Sequence, residues 1–426
     1  MFNKGKIYLD NASTTPIDKR VIKIISSLER DFFANASSIH TSGVKVRDII
    51  EEMRGKIAKG INAHNDEIIF TGSGTESDAL AILGVISYIT QHITHNKDFL
   101  PHIVTSQIEH PAVLENCKFL ENRGEIEVTY VGVDKNGIIN LEELKESLKD
   151  NTILVSIMYA NNEIGSIQPI EEIAKIIRHF RKGKSALQVA DGSLAFFEPK
   201  ARPRVVDFPI FHTDACQAMN YLYTENIEKL GVDMMSFNGS KIYGPKGIGI
   251  LYKKRNVELS PIYAGGGQEF GLRSGTEDVA SIAGFSLAFE ITNKIKNKES
   301  ERLTKLRIYA IEKLMSINIK PYKIILNGDK EKRLPNNINI SIKGISSELL
   351  VIELDAKGIE VSSKSACKSS DDEGSYVLKA INGNDEKVDG EVGSLRITLG
   401  RFTTKDHIDK LIFVLTKILE KYKDWK

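Results

Sequence analysis

The chain has few cysteines, no long apolar run and almost no net charge. Its 426 residues include three cysteines, Cys117, Cys216 and Cys367, too few and too scattered for a disulfide framework or a zinc site. A sparse, odd number of cysteines is typical of a reducing compartment. The opening MFNKGKIYLDN lacks the apolar core of a signal peptide, and no segment approaches the roughly 18 apolar residues of a membrane span. These absences predict a cytoplasmic protein without a membrane partner.

The chain also lacks an excess of positive or negative charge. Lys and Arg total 58 and Asp and Glu total 57, which gives a net charge of +1. This balance argues against direct nucleic-acid binding or an anionic membrane surface as the main role. Apolar content of 41% and charged content of 27% are ordinary for a globular protein, and the length allows two domains.

Short β-rich runs alternate with helical patterns through the first two thirds of the chain. The runs are DEIIFTG, PHIVTSQ, EIEVTYVGV, TILVSIMYA, FPIFHTDA, VDMMSF and GIGILYK. This alternation predicts an α/β fold with a mostly parallel sheet covered by helices on both faces. Ligand sites in such sheets collect at the carboxyl ends of the strands.

The pattern changes near residue 276. Two helical stretches, roughly 276–296 and 299–317, precede two strands, a helix, a polar loop around Cys367 and a final amphipathic helix. We interpret this part as a smaller α+β domain that the N-terminal arm completes. A turn-rich insertion at about 184–208 interrupts the earlier rhythm; a loop of that length is often functional or mobile, and a plain surface insertion fits equally well.

Lys241 follows the apolar run VDMMSF and begins two glycine-containing turns. An amine at the end of a sheet strand is partly desolvated, which lowers its pKa towards the range where it attacks carbonyls. The carbonyl that we expect is the aldehyde of pyridoxal phosphate (PLP). A lysine taken alone is far more often a surface residue, so the hypothesis depends on the rest of a PLP site.

Candidates for the rest of that site follow other predicted strands. Asp214 closes FPIFHTDA, where a carboxylate can pair with the ring nitrogen and keep the ring an electron sink; the alternative is a turn or cap residue. His110, which opens a helix, is placed to cover the ring, and Gln217 to reach its phenolic oxygen. A helix-start or core role is the alternative for His110.

The segment FTGSGTES predicts a phosphate site between a strand and a helix. Backbone N–H groups near Gly72 and Gly74, with the Thr75 hydroxyl, suit a phosphate at a helix N-terminus. Ser73 and Glu76 also fit a capping box, which explains part of the pattern without a ligand. A dinucleotide fingerprint would need glycine in place of Ser77, so that reading fails.

Collinear motifs make the chain resemble the cysteine desulfurases of the NifS and IscS type, class-V members of the fold-type I PLP-dependent enzymes. The resemblance runs from YLDNASTTP to SLRITLGRFTT and includes NASSIH, FTGSGTES, EHPAVLE, MYANNEIGSIQPI, TDACQ, GSKIYGPKGIG, GGGQEFGLRSGTE and SSKSACKSS. It implies a large PLP-binding domain over 17–295 with a mostly parallel seven-stranded sheet between helices. Residues 1–16 and 296–426 would form the small domain with the catalytic cysteine loop.

The resemblance also implies a role for each matching residue. Lys241 would carry the cofactor, Asp214 and Gln217 would bind its ring, and His110 would stack on it. The cofactor's phosphate would be held by Gly74, Thr75, Asn238, Gly239 and Ser240, with Thr276 from a partner subunit of a homodimer. The substrate would be bound by Arg396 through its carboxylate and by Asn162, which also lies beside the cofactor, and Asn35. No metal is implied.

Cys367 is the implied catalytic thiol. Lys364 and Lys368 flank it, and nearby positive charge raises the thiolate fraction. The thiolate would attack the sulfur of bound L-cysteine, keep that sulfur as a persulfide and release alanine. For Cys117 and Cys216 we expect packing roles.

Three residues depart from the usual family pattern. Ser240 stands where a histidine is usual, Asn238 where serine is frequent, and Phe270 where arginine is frequent. Ser240 and Asn238 can both still donate hydrogen bonds to a phosphate. Any proton-relay role of the missing histidine would pass to His110, Lys241 or water.

The leading hypothesis is a cysteine desulfurase that supplies sulfur for iron–sulfur clusters or tRNA thiolation through an acceptor protein, either a cluster scaffold or a tRNA-thiolating enzyme. A selenocysteine lyase is the nearest alternative, with the same fold and similar chemistry. A non-catalytic sulfur carrier or assembly scaffold is the alternative from another class. The intact set of Lys241, Asp214, His110 and Cys367 argues against that last reading.

Overall fold

A computed structural model of the chain describes residues 5–92, 99–183, 207–363, 375–382 and 392–424. Its strands are β1 (Ile7–Tyr8), β2 (Ile68–Thr71), β3 (His102–Ser106), β4 (Glu127–Val131), β5 (Thr152–Ser156), β6 (Ile210–Asp214), β7 (Met234–Asn238), β8 (Gly249–Lys253), β9 (Lys323–Leu326), β10 (Asn337–Lys343), β11 (Ile359–Glu360) and β12 (Val392–Thr398). Its helices are α1 (Lys19–Asp31), α2 (Thr41–Ile61), α3 (Gly74–His92), α4 (Pro111–Asn122), α5 (Leu141–Ser147), α6 (Ile170–Gly183), α7 (Ile227–Leu230), α8 (Val279–Met315), α9 (Ser347–Asp355), α10 (Tyr376–Asn382) and α11 (Lys405–Tyr422).

The predicted mostly parallel sheet is confirmed and has seven strands in the order β2-β8-β7-β6-β5-β3-β4. Strands β7, β6, β5, β3 and β4 are parallel to one another, and β8 is antiparallel to both of its neighbours. Successive strand residues point to opposite faces. Val155 and Phe211 therefore enter one buried cluster, whereas Leu154 and Ile210 enter the other. The sheet is covered on both faces, as expected for parallel strands.

A second apolar cluster forms around two smaller sheets. One has the order β12-β10-β9 with antiparallel pairs, and the other pairs β1 with β11 in parallel. Ile7 and Leu9 of the N-terminal arm are buried in this cluster beside Leu395 and Leu411. The arm therefore packs with the C-terminal elements.

The prediction of two separate helices near residues 276–317 is wrong, because α8 is a single helix of 37 residues. No glycine or proline follows Gly284 within the helix, so the polar stretch near its centre continues the helix instead of breaking it. Its first part packs on the large sheet as far as Ile295, and from Leu303 it packs in the smaller cluster. The proposed domain boundary between residues 295 and 296 falls inside α8 and stays a prediction.

Some sequence-based predictions fall on residues outside the described part of the chain. They concern Cys367 with its flanking Lys364 and Lys368, and almost all of the insertion at about 184–208. Within the described ranges, no helix is both long enough and apolar enough to cross a membrane.

Candidate active site

A cavity with an empty volume of about 690 Å³ lies where the carboxyl ends of β5, β6 and β7 face the start of α3. Nine of the predicted site residues line it: Gly74, Thr75, His110, Asn162, Asp214, Gln217, Asn238, Lys241 and Arg396. They come from six separate parts of the chain. The predicted location of a ligand site at the strand ends therefore agrees with the observed cavity.

Lys241 reaches the cavity from a short 3₁₀ turn, Gly239–Lys241, that directly follows β7. Only glycine fits at the first position of this turn, because a Cβ on Gly239 would lie 2.4 Å from the carbonyl oxygen of Pro245. The Lys241 amine donates a hydrogen bond to the backbone carbonyl of Ser13. The amine is thus held at the cavity wall by the N-terminal arm.

Asp214 is the last residue of β6 and is buried. Its Oδ1 accepts a hydrogen bond of 2.8 Å from the backbone N–H of Cys216. Gln217 lies one turn further along, and its Nε2 donates to the carbonyl of Ala12 at 2.9 Å. The carboxylate therefore has a fixed orientation at the base of the cavity, as binding of a protonated ring nitrogen would require.

His110 is the N-cap of α4, followed by Pro111 at the first helical position. Its Nδ1 accepts a hydrogen bond of 3.1 Å from the backbone N–H of Ala112. Burial lowers the pKa of His110; Asp214 opposes this shift, and the positive charges of Lys241 and Arg396 add to it. The ring is therefore neutral near pH 7, with its proton on Nε2 because Nδ1 is the acceptor.

An anion can come close to the backbone at the N-terminus of α3. A Cβ on Gly74 would lie 2.8 Å from Cys216 Sγ and 2.9 Å from Asn238 Nδ2, so only glycine leaves this space open. Ser73 caps the 19-residue helix by accepting from the N–H of Glu76 at 3.1 Å. The Glu76 carboxylate accepts from Gly72 at 2.6 Å instead of from Ser73, so the capping box is only half formed.

Arg396 lies in β12 and is 1% exposed. Its Nη2 donates to Asp10 Oδ1 at 2.9 Å and to Ser13 Oγ at 2.6 Å, while Nη1 donates to the carbonyl of Asn162 at 3.3 Å. Arg396 Nε and Asn162 Oδ1 are buried polar atoms without a hydrogen-bond partner among the described residues. Unpaired polar atoms in a cavity wall are costly unless a ligand or water pairs with them.

These observations fit PLP. The cavity offers a carboxylate, an imidazole, a lysine amine and a helix N-terminus with a glycine where a side chain would collide with its surroundings. An anion-accepting helix start beside a buried carboxylate suits a ligand with a phosphate at one end and a cationic ring nitrogen at the other.

Four predicted residues do not line this cavity. Gly239 and Ser240 lie next to it in the Lys241 turn, and the Ser240 carbonyl accepts hydrogen bonds from Thr15. Asn35 and Thr276 are exposed on the surface. The substrate role of Asn35 and the partner-subunit role of Thr276 stay predictions.

The structure adds cavity residues to which the sequence analysis gave no role: Ala12, Ser13, Asp78 and Met158. A signal was present for all four. Ala12 and Ser13 lie in YLDNASTTP and Met158 opens MYANNEIGSIQPI, both among the motifs that carry the family resemblance, and Asp78 directly follows FTGSGTES. Cys216 also lines the cavity, as expected from its place between Asp214 and Gln217.

The seven-stranded sheet and the lysine, aspartate and imidazole at its strand ends define an α/β transferase of the aminotransferase class. The sequence profile described as "Aminotransferase class-V" matches residues 7–202 and 208–411. The chain belongs to the class-V aminotransferase family.

Individual relatives agree with this assignment. A protein of Dictyoglomus turgidum named "Cysteine desulfurase IscS" is 42% identical over 98% of this chain and 95% of its own length. A solved "NIFS-LIKE PROTEIN" aligns with a TM-score of 0.82 and 32% identity over 98% of this chain and all of its own. The structure "SspA in complex with cysteine" aligns with a TM-score of 0.72 and 29% identity over 93% of this chain and 99% of its own.

Proposed function

We propose that the protein is a PLP-dependent cysteine desulfurase, which takes sulfur from L-cysteine, releases alanine and passes the sulfur on through a protein thiol. The observation that carries this proposal is the single cavity in which Lys241, Asp214, His110 and Arg396 meet. Relatives that match almost the whole chain are named for this activity, and one structural neighbour was solved with cysteine.

Different residues of the cavity would bind different parts of the cofactor. Lys241 would bind the cofactor aldehyde, Asp214 and Gln217 its ring, and the start of α3 with Asn238 its phosphate. When bound, PLP supplies a ring that accepts electron density from the substrate. His110 holds a proton on Nε2 at the cavity wall, where it can be donated to a reacting group.

Arg396 would bind the substrate carboxylate. Its guanidinium is buried, already oriented by Asp10 and Ser13, and has a buried Nε without a described partner. A planar guanidinium in a fixed orientation suits a carboxylate with two oxygens. Asn162 contributes to the same wall a side-chain oxygen that none of the described residues pairs with.

The nucleophilic thiol is assigned to Cys367 on the family resemblance, and the state of the other two cysteines supports this assignment. Cys117 and Cys216 are buried, and burial raises the pKa of Cys117 to about 12 and that of Cys216 well above its usual range. The thiolate is the reactive form, so neither is a good nucleophile. Cys367 attacks the substrate sulfur, the substrate C–S bond breaks, a Cys367 persulfide forms, and a proton on the former Cβ completes alanine.

The acceptor of the persulfide sulfur is proposed to be a second protein, an iron–sulfur scaffold or a tRNA-thiolating enzyme. A homodimer is proposed on the family resemblance, which implies that Thr276 reaches the cofactor site of a partner subunit; Thr276 is exposed and lies outside the cavity of its own chain, as this requires. Exposed apolar side chains support a subunit interface: Ile39 is 95% exposed and Phe270 is 57% exposed.

The test is release of sulfide and alanine from L-cysteine with a reductant. Wild type should release equal amounts, and Cys367→Ala should lose this release while it keeps the colour of bound PLP. Cys117→Ala is the matched control and should keep activity. Undiminished turnover in Cys367→Ala would assign the nucleophile to another group, and turnover of L-selenocysteine alone would favour the lyase.

A further inference from the structure

A second buried carboxyl group lies beside Asp214 in the cavity wall. Asp78 is on α3, one turn after Gly74, and is 1% exposed. A carboxyl oxygen of Asp78, one of Asp214 and a ring nitrogen of His110 all lie within 4.8 Å of one another. Asp78 Oδ1 has no hydrogen-bond partner among the described residues.

Two carboxylates so close together in a buried site cannot both be ionised at ordinary cost. The surroundings decide which one keeps the charge. Asp214 Oδ1 accepts a hydrogen bond from the backbone N–H of Cys216. In the described part of the chain, Asp78 Oδ1 has no such donor. Charge is therefore more stable on Asp214.

The neighbours of Asp78 do not supply a compensating positive charge. His212 Nε2 is 3.6 Å from Asp78 Oδ1, but burial lowers the pKa of His212 to about 4, so the ring is neutral near pH 7. Its two nitrogens contact the hydroxyls of Ser156 and Ser236, each at 2.9 Å. Glu109, also buried in the vicinity, has its pKa raised to about 8 by burial.

The direction of the Asp78 shift agrees with this geometry. Burial raises the pKa of Asp78 well above its ordinary value, and the negative charge of Asp214 raises it further. The Ser236 hydroxyl opposes the shift, and Glu109 adds to it.

We propose that Asp78 and Asp214 share a single negative charge: Asp214 carries it, and Asp78 keeps its proton as a positioning residue. The pair then presents one anion to the ring nitrogen of the cofactor, with a neutral acid behind it. The link to the ring nitrogen rests on the proposed function, whereas the shared charge is a property of the protein alone. If Asp214 loses its charge, Asp78 becomes free to ionise.

The first experiment is a double-mutant cycle on PLP affinity with Asp78→Asn, Asp214→Asn and the double variant. Asp78→Asn should lower the affinity by no more than about threefold, because asparagine replaces a group that is already neutral. In the Asp214→Asn background the same substitution should cost about tenfold, or ~1.4 kcal/mol, because Asp78 then carries the charge. The exposed Asp48→Asn is the control and should leave the affinity as in wild type.

Two results would overturn the proposal. A loss of PLP affinity in Asp78→Asn as large as that in Asp214→Asn would make Asp78 an anion in its own right. If Asp78→Asn changed the PLP affinity by the same factor in wild type and in Asp214→Asn, Asp78 would have a structural role only. If wild type binds no PLP, it is the proposed function that fails.

Infrared spectroscopy of the cofactor-free protein tests the shared charge independently. A protonated carboxyl group has a C=O stretching band that a carboxylate lacks. Subtracting the infrared spectrum of Asp78→Asn from that of wild type cancels the contribution of Glu109, which is present in both proteins. We expect this band to disappear in Asp78→Asn and to weaken in Asp214→Asn. A difference spectrum without a protonated-carboxyl band would contradict the proposal.

Discussion

At the scale of single residues, Lys241 shows how local geometry prepares a side chain for chemistry. Gly239 allows the tight turn that follows β7, and the Ser13 carbonyl accepts a hydrogen bond from the Lys241 amine. Another lysine, Lys246, lies five positions away and is exposed. Of the two lysines, it is Lys241 that follows the β7 run and that lies in the cavity wall.

Lys241→Ala is expected to lose the visible absorption band of covalently bound PLP, because no amine remains at the cavity wall to bind the aldehyde. Absorbance spectroscopy after addition of PLP and removal of the excess measures this. Lys246→Ala is the control and should keep the band. A full-strength band in Lys241→Ala would place the cofactor elsewhere.

Arg396→Ala is expected to raise the KM for cysteine roughly tenfold or more, since a hydrogen-bonded charged contact contributes ~1.5–3 kcal/mol. Steady-state kinetics of alanine release measures this change. The variant also removes the ion pair with Asp10, so Asp10→Asn is the matched control for that loss. Asp10→Asn should change KM by much less; an unchanged KM in Arg396→Ala would assign the carboxylate site to another residue.

At the scale of secondary-structure elements, the central strands bury polar groups as well as apolar ones. His102 begins β3 and is fully buried, with its ring nitrogens 2.8 Å from Thr152 Oγ1 and 2.9 Å from Thr129 Oγ1. Burial, and next the charge of Lys149, lower the pKa of His102 to about 4, while Glu127 opposes the shift. The histidine therefore stabilises the sheet as a neutral group.

This shift predicts a pH-dependent stability. The folded-state pKa of His102 is below its unfolded value of about 6.5, so its contribution is present above that pH. The contribution is lost as the pH falls towards 4, because the unfolded chain binds the proton more readily. The full loss is on the order of 3 kcal/mol.

The prediction is checked by the urea midpoint at pH 7.5 and at pH 5 for wild type and His102→Gln. Glutamine does not titrate, so the midpoint of the variant should fall less on acidification than that of wild type. The exposed His179→Gln on α6 is the control and should follow wild type. The same fall in His102→Gln as in wild type would show that His102 does not contribute.

At the scale of the whole molecule, the cavity is complete only because distant parts of the chain meet. The N-terminal arm crosses to the C-terminal elements through β1 and β11 and then supplies Ala12 and Ser13 to the cavity. Strand β12 brings Arg396 to the same place. If the chain forms a dimer, Thr276 of one copy would contribute to the cavity of the other copy.

The dimer prediction is tested by mixing subunits. Neither Lys241→Ala nor Thr276→Ala homodimers should have full activity, and we expect Thr276→Ala to weaken PLP binding about tenfold through loss of one hydrogen bond to phosphate. In a mixed dimer, the Lys241→Ala chain supplies an intact Thr276 to the Lys241 site of the other chain. Mixing should therefore restore PLP binding to that site; no restoration, or a monomer in sedimentation, would contradict the prediction.

The sequence by itself determined most of the elements and the strand-end residues. Each strand of the large sheet follows from an apolar run, and Asp214, Lys241 and His110 each stand just after such a run. Local propensity and burial pattern are properties of neighbouring residues, so they can be read along the chain. The single helix α8 was missed because its polar centre resembles a linker although every residue there tolerates a helix.

Only the tertiary structure decided which distant residues share the cavity. Ser13 contacts Lys241 across 228 positions, and Arg396 contacts Asp10 across 386. In the sequence, Asp78 is one more polar residue of a predicted helix. Only the folded chain brings its carboxyl group close to that of Asp214. Contacts of this kind leave no periodic signal in the sequence, because they depend on how whole elements pack and on charges that meet only in the folded chain.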